Sequence, residues 1–418
     1  MNPSVDIDIA IAGGGPVGMA LAAMLLARGV DASRIALIDA KSIETATQDP
    51  RSIALSYGSR QLLEQIHAWP ATASAITEIH VSRRGSLGRT LIHAQDYGLP
   101  ALGYVARYGD VVQALAQALE NSGIASYRPV AVIDRQAADS HISLSLTEGQ
   151  RITAKLLIQA EGGVFSDQAA RQVQRDYAQH AIVATVHSNA PLAGRAFERF
   201  TDEGPLALLP QHDAYSLVWC VSPENKDRLL ALSDMEFLQA LQVAFGQRVG
   251  NFIHIGKRNS YALGLNAKPE SFARTISIGN AAQTLHPVAG QGLNLGLRDA
   301  MVLARLLAHE LSQHTESDLK GRDDTHSTGS TDHPSEDDIS HTNCYTTKQV
   351  NALIAQFTQQ RRMDRSATVG LTDVMARIFA SSPEASFTQN LLGLSLGMID
   401  MAPSAKRALA EQMMFGVR

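Results

Sequence analysis

Three glycines and one aspartate carry the first chemical signal. Gly13-Gly14-Gly15-Pro16-Val17-Gly18 fits G-x-G-x-x-G, and Asp39 lies 21 residues beyond Gly18. Gly13 allows a tight turn, Gly15 lets a diphosphate approach the backbone, and Gly18 lets a helix pack on the preceding strand. Free N–H groups at that helix's N-terminus attract phosphate. Asp39 is spaced to accept hydrogen bonds from a ribose. Gly13, Gly15, Pro16, Gly18 and Asp39 are therefore candidate dinucleotide-binding residues. The plain alternative is a strand–turn–helix packing unit.

A second cluster lies 240 residues later. Gly279-Asn280 follows a short strand, and His286-Pro287 and Gly290-Gln291-Gly292-Leu293-Asn294 come next, with a helix expected from Leu295 and Asp299 one turn in. Glycines so dense imply close backbone approach to a ligand. A helix starting at 293–296 would offer its positive dipole end to an anionic ring. The polar residues Asn280, Gln283, His286, Gln291 and Asn294 favour a ligand over another packed turn. Arg51, after Asp49-Pro50, can reach back to a diphosphate or stay on the surface.

These residues need elements to hold them. Ser4 to Ala12 alternates like a strand, Val17 to Arg28 reads as a helix, and Arg34 to Asp39 reads as a second strand. Asp110 to Asn121 is an amphipathic helix. Ala181–Ser188, Gly194–Thr201, Pro205–Pro210 and Tyr215–Cys220 alternate like antiparallel strands and predict a wall for a substrate cavity. Phe197, Phe200, Leu206, Leu208, Leu209, Leu217, Val218 and Trp219 form an apolar cluster there, which fits either a cavity lining or an ordinary core.

Length and composition exclude several classes. A chain of 418 residues predicts two joined domains. Cys220 and Cys344 are the only cysteines, so neither a disulfide framework nor a zinc site is expected, and a reducing compartment fits. No apolar run is long enough to span a bilayer, and no signal peptide is visible. The net charge of −5 leaves no nucleic-acid footprint. Residues 316–338 hold −6 of that charge and one large apolar residue, Leu319, and so predict a disordered insertion. The histidines near it are expected to be solvated rather than metal ligands. The segment from Leu391 to Val417, rich in Leu and Met with interspersed Lys and Arg, fits either a packed terminal helix or one lying on an anionic membrane or partner.

The stretches Ile278 to Pro287 with Gly290-Gln291-Gly292, Arg195-Ala196-Phe197-Glu198-Arg199-Phe200, Gly204 to Pro210 and Ser216-Leu217-Val218-Trp219 carry a family resemblance. The chain resembles the class A flavoprotein aromatic hydroxylases, in the ubiquinone-biosynthesis branch that includes the 2-polyprenyl-6-methoxyphenol hydroxylases. The resemblance implies the para-hydroxybenzoate hydroxylase fold: α/β (α+β), a Rossmann-type FAD domain with an inserted antiparallel-sheet substrate domain. The implied FAD domain comprises 1–75, 101–175 and 271–310, and the substrate domain 76–100 and 176–270. An acidic insertion at 311–346 and C-terminal helices at 347–418 complete the division. It implies that Gly13, Gly15, Gly18 and Asp39 hold the ADP half of FAD and that Arg51 sits near the diphosphate. Gly279, Asn280 and residues 290–294 would contact the ribityl chain and isoalloxazine.

The resemblance also implies chemistry. NAD(P)H reduces FAD, O₂ adds at the flavin C4a, and the hydroperoxide hydroxylates a polyprenylated phenol. His286 is the candidate catalytic side chain, with a structural role beside Pro287 as the alternative. Expected partners are the phenol, O₂ and either the membrane surface or other ubiquinone-biosynthesis proteins, with a cytoplasmic location peripheral to the inner membrane. A flavin reductase or dehydrogenase of the same fold, or a non-catalytic flavoprotein subunit, fits the same residues.

Overall fold

β1 (Ile7–Ala12) is buried along its whole length, with a core on each face. Ile9 and Ile11 pack under α1 (Pro16–Leu26), and Ala10 and Ala12 face a second core with Leu144 and Leu146. Burial on both faces explains why the strand reads as nearly continuous apolar sequence. The computed structural model describes residues 7–84, 89–162, 175–265, 272–285, 290–323, 346–380 and 403–416.

The chain continues through β2 (Ile35–Ile38), α2 (Ile43–Thr47), β3 (Ser52–Ser56), α3 (Tyr57–Gln65), β4 (Ser74–Ile76), β5 (Glu78–Arg83) and β6 (Arg89–His93). Next come β7 (Gly103–Arg107), α4 (Tyr108–Leu119), β8 (Ala125–Tyr127), β9 (Val132–Ala137), β10 (Ile142–Leu146) and β11 (Arg151–Gln159). The long β12 (Arg175–Ser188) leads to β13 (Arg195–Phe200), β14 (Pro205–Gln211), β15 (Ala214–Val221), α5 (Pro223–Ala231) and α6 (Asp234–Phe245). Then follow β16 (Phe252–Ile255), β17 (Asn259–Leu265), β18 (Thr275–Ser277), α7 (Gln291–Asp323), α8 (Thr347–Ala380) and α9 (Pro403–Phe415).

Three sheets result. The first runs β8-β2-β1-β11-β10-β9, with β18 also parallel to β11. Its parallel strands deliver the Gly13 turn, Asp39 and Gly279 to one sheet edge, because all three follow the C-terminal ends of strands that run the same way. The second runs β16-β12-β15-β14-β13-β5-β6, with β17 on β12. The small third sheet, β3-β7-β4, lies between them: Val105 and Ile76 pack on Ala196 and Leu209 of the second sheet.

Two expectations change here. Strand alternation divides the apolar cluster expected to line the cavity. Phe197, Leu206, Leu208, Leu217 and Trp219 point to α5 and α6 and form a closed core with Phe237, Leu241 and Phe245. Leu209 and Val218 take the opposite face, where Leu209 packs on Ile76 and Val105 and Val218 on Ala181, Cys220 and Leu263. The segment expected to be disordered from 311 is helical as far as Asp323, because Leu311 is still buried against the core and α7 simply continues. Residues 324–345, the rest of that expectation, lie outside the described residues.

Candidate active site

The turn after β1 is held by its glycines. A Cβ on Gly18 would stand 1.9 Å from Gly13 O, and one on Gly13 would stand 2.5 Å from the Ala160 carbonyl carbon. These two positions admit no side chain. Gly15 differs: its Cβ would meet only the Tyr108 hydroxyl, at 3.0 Å. The space over Gly15 is otherwise open. Gly15 caps α1 without a side-chain hydrogen bond, Pro16 opens the helix, and the first turn holds no acid. Its N–H groups are available to an anion.

Asp39 ends β2 beside this turn. Its Oδ2 accepts the Gly14 N–H at 2.6 Å and its Oδ1 the Lys41 N–H at 2.7 Å. Each oxygen keeps a lone pair for a ribose hydroxyl. Arg128 crosses the same corner, donating to Gly14 O at 2.6 Å and Lys41 O at 3.0 Å. Arg51 lies 4.9 Å over the Tyr108 ring and is held bidentate by Asp49 at 2.7–3.0 Å. Burial pulls the Arg51 pKa down, but Asp49 outweighs it and the net shift is upward. Burial pushes Tyr108 up to about 12.

The second glycine cluster closes on the first. A Cβ on Gly296 would stand 2.7 Å from Val17 Cγ2, and one on Gly279 3.2 Å from the same atom. Gly279 and Gly290 both have φ +59°. A Cβ on Gly162 would stand 3.6 Å from Asn280 Cβ. α7 begins at Gln291, two residues before the expected 293–296 window, so Gln291, Gly292 and Leu293 form its first turn. Asn294 is fully used inside the protein. It accepts from Ser56 N and Ser59 Oγ and donates to Ala54 O and Gly290 O, at 2.7–3.1 Å. It thus ties β3 to α7 and shapes the Gly290 turn. Gln291 donates to Met413 O at 3.2 Å, which brings α9 to the same place. His286 and Pro287 lie outside the described residues.

Beneath Gly279 is a buried charged network that the sequence reading missed. Asp299, fully closed to solvent, accepts the Gly279 N–H at 3.2 Å, Gln283 Nε2 at 3.0 Å, Arg361 Nε at 2.7 Å and Arg365 Nη2 at 3.0 Å. Burial alone would raise its pKa. Arg365 and Arg361 with the hydrogen bonds outweigh this and hold the carboxyl below its usual range. Arg361 also pairs with Asp364 at 2.7 Å, and Asp364 with Arg298 at 2.8 Å. The available signal was Arg361 and Arg365 four residues apart on one helix face.

α9 completes the site. Ala410 and Met414 are buried with Ile92, Ala94 and Leu102, and Phe415 packs edge-on to Tyr57. The terminal segment is therefore a packed helix over its described part. Among the described residues no helix is long and apolar enough to cross a membrane, and no group of three His, Cys, Asp or Glu is placed to hold a metal.

An anion-receptive helix start with open space above Gly15, a carboxylate at the end of β2, and a second glycine-lined helix start meeting the first define a flavin-dinucleotide cradle. The chain belongs to the family described as FAD binding domain, which matches residues 6–325. Within it, the chain groups with the flavoprotein monooxygenases of ubiquinone biosynthesis. It is 30% identical over 384 residues to the ubiquinone hydroxylase UbiL of Rhodospirillum rubrum, covering 90% of this chain and 82% of that one. It is 32% identical over 329 residues to the 3-demethoxyubiquinol 3-hydroxylase of Escherichia coli K12, covering 73% and 80%. The p-nitrophenol 4-monooxygenase of Pseudomonas putida DLL-E4 has the same fold, with a TM-score of 0.71 at 15% identity over 99% of both chains.

Proposed function

We propose that this flavoprotein hydroxylates a polyprenylated methoxyphenol in ubiquinone biosynthesis, the reaction type of the 2-polyprenyl-6-methoxyphenol hydroxylases, using NAD(P)H and O₂. The observation that carries this reading is the face of the second sheet turned away from α5 and α6, which is apolar and only partly closed. Along the strands, residues facing α5 and α6 are closed, while Val81, Val183, Leu209 and Val218, which face the other way, remain partly open. Ser52, next to Arg51, donates to Gln211 on that same face at 3.0 Å. The open face therefore looks toward the cofactor cradle.

Bound FAD supplies reduction by NAD(P)H and activation of O₂. The chain's own residues bind and orient. The α1 N-terminus and Gly15 receive the diphosphate, Asp39 takes a ribose hydroxyl, and Arg51 exchanges part of its pairing with Asp49 for the diphosphate. Gly279, Asn280, Gly290, Gln291, Gly292 and Leu293 border the flavin end. Asp299 and Asn294 fix the turns that carry them. That apolar face would keep water from the reacting ring and accept an apolar substrate. Each buried CH₂ of a prenyl tail adds about 0.8 kcal/mol. Such a substrate is drawn from the membrane surface or handed over by a partner protein, which makes the working location cytoplasmic and peripheral to the inner membrane.

The test compares prenylated and tail-less methoxyphenols for NAD(P)H oxidation and for isotopically labelled oxygen entering the product from O₂. Preferred turnover of the prenylated phenol with label in the ring is expected. Phenol-stimulated oxidation without label would point to a reductase. Equal kcat/KM with and without the tail would remove tail recognition.

A further inference from the structure

One side chain in the cofactor cradle has an unused donor. Tyr108 opens α4, and its hydroxyl stands 3.0 Å from where a Cβ on Gly15 would be. Among the described residues beyond the local chain, no other heavy atom comes within 4 Å of that point. The hydroxyl therefore leans over the start of α1, which Gly15 caps without a side-chain hydrogen bond. Among the described residues it has no hydrogen-bond partner of its own. Burial pushes its pKa up to about 12, so it keeps its proton near neutrality and stands as a donor. A ring placed there for packing alone would do as well without the oxygen.

The backbone fixes where Tyr108 stands. Its N–H donates to Arg51 O at 2.7 Å, and the Gly109 N–H donates to Asp49 O at 3.1 Å. A Cβ on Gly109 would stand 2.0 Å from Thr47 O, so the start of α4 is pressed against the connection from α2 to β3. That connection carries Arg51. β3 and β7 pair antiparallel with Ser52 opposite Arg107, which makes Arg51 and Tyr108 neighbours at the end of the pair. The Arg51 guanidinium lies 4.9 Å over the Tyr108 ring. The ring therefore supports the guanidinium independently of Asp49.

We propose that Tyr108 is a specificity-determining residue of the cofactor site: its hydroxyl donates to the diphosphate of the flavin dinucleotide, and its ring holds Arg51 over the same group. The pair then selects a dinucleotide over a flavin or nucleoside that lacks the diphosphate. This rests on Gly15 receiving the diphosphate and is independent of the phenol reading. A hydrogen bond to an anionic oxygen is stronger than one between neutral groups, so an otherwise unused hydroxyl beside a helix N-terminus gains most from a phosphate. The neighbouring acids do not take the hydroxyl instead. Asp39 accepts the Gly14 and Lys41 N–H groups, and Asp49 accepts Arg51. The acceptor that Tyr108 lacks inside the protein is the one that a diphosphate brings.

The experiment uses the full-length protein, freed of flavin and then titrated. FAD and riboflavin are followed by fluorescence, and ADP and adenosine by competition with FAD. Tyr108→Phe should weaken FAD and ADP about tenfold each and leave riboflavin and adenosine unchanged. The flavin-free variant should melt with wild type, because the hydroxyl has no partner in the protein. Tyr108→Leu, which also removes the ring, should weaken FAD further, and Arg51→Ala should then add less than it does in wild type. FAD affinity in Tyr108→Phe equal to wild type or tighter would overturn the proposal. Equal losses for riboflavin and ADP would overturn it too. So would a flavin-free Tyr108→Phe that melts lower or fails to fold, since the hydroxyl would then serve the fold. Wild type binding ADP no more tightly than adenosine would overturn the placement of the diphosphate at Gly15 as well. The phenol reading stands under each of these outcomes.

Discussion

The Asp299 carboxylate accepts Arg361 Nε at 2.7 Å from α8 while its other oxygen accepts the backbone N–H of Gly279 at 3.2 Å. One buried acid thus connects a C-terminal helix to the turn that follows β18.

Asp299→Asn should weaken both fold and cofactor binding. The substitution leaves the buried Arg361 and the half-buried Arg365 without their shared counter-charge. Breaking a buried pair in this way costs about 3–5 kcal/mol. A thermal melt and an FAD titration check it, and an unchanged melting temperature would argue against the network's importance.

Asp299 and Glu198 should leave opposite marks on stability against pH. The Asp299 pKa is lowered in the fold, so its contribution is present above the unfolded value near 3.8 and is lost as pH falls through the lower folded value. The Glu198 pKa is raised, so its native cost is absent below about 4.5 and grows as pH rises toward about 7. Glu198→Gln should therefore raise the melting temperature at pH values above about 7 and leave it unchanged below about 4.5. Urea melts across that range are the measurement.

Gly15 and Gly18 should fail differently. Gly15→Val should yield a folded protein without flavin, because the added side chain enters open space above the α1 N-terminus. Gly18→Ala should damage folding itself, since its Cβ would overlap Gly13 O. Circular dichroism with flavin content separates the two. Normal flavin content in a folded Gly15→Val protein would contradict the diphosphate path.

Arg51→Ala should lower FAD affinity about tenfold, roughly 1.4 kcal/mol, with little change in melting temperature. Arg51 is part-exposed, and its partner Asp49 can turn to solvent. Unchanged affinity in a fluorescence titration would make Arg51 a surface residue.

Met414→Ala should destabilise the protein by about 2–5 kcal/mol, the usual range for emptying a closed core position. Met414 is 3% exposed and packs with Leu102 and Ile92. A negligible change would show that α9 is loosely held and free to dock elsewhere.

The βαβ unit that carries the glycine turn and Asp39 was legible because its signals are local. Gly13, Gly15, Gly18 and Asp39 sit within one βαβ unit, where spacing along the chain nearly fixes position in space. The two faces of the second sheet were less legible. Phe197, Leu217 and Trp219 read as a cavity wall by their apolar character, yet a one-residue step reverses the face of a strand, and they close a core with α5 and α6 while Glu198 takes the opposite face. The roles of Asn294 and Asp299 were hidden for another reason. Their partners, Ser56 and Arg361, lie 238 and 62 residues away, and no pattern in the chain connects them.

The Gly416 backbone closes against Asp364 and Arg298, so tightly that a Cβ there would stand 2.5 Å from the Asp364 carboxylate. The props beneath the flavin turn therefore come from residues 361–416, which leave the ribosome after the turn itself. Until they arrive, Asp299 has no counter-charge and Gly279 no fixed direction. A chain cut before α8 should therefore hold flavin less tightly than the full chain, because the Gly279 turn loses the supports that Arg361 and Arg365 give through Asp299.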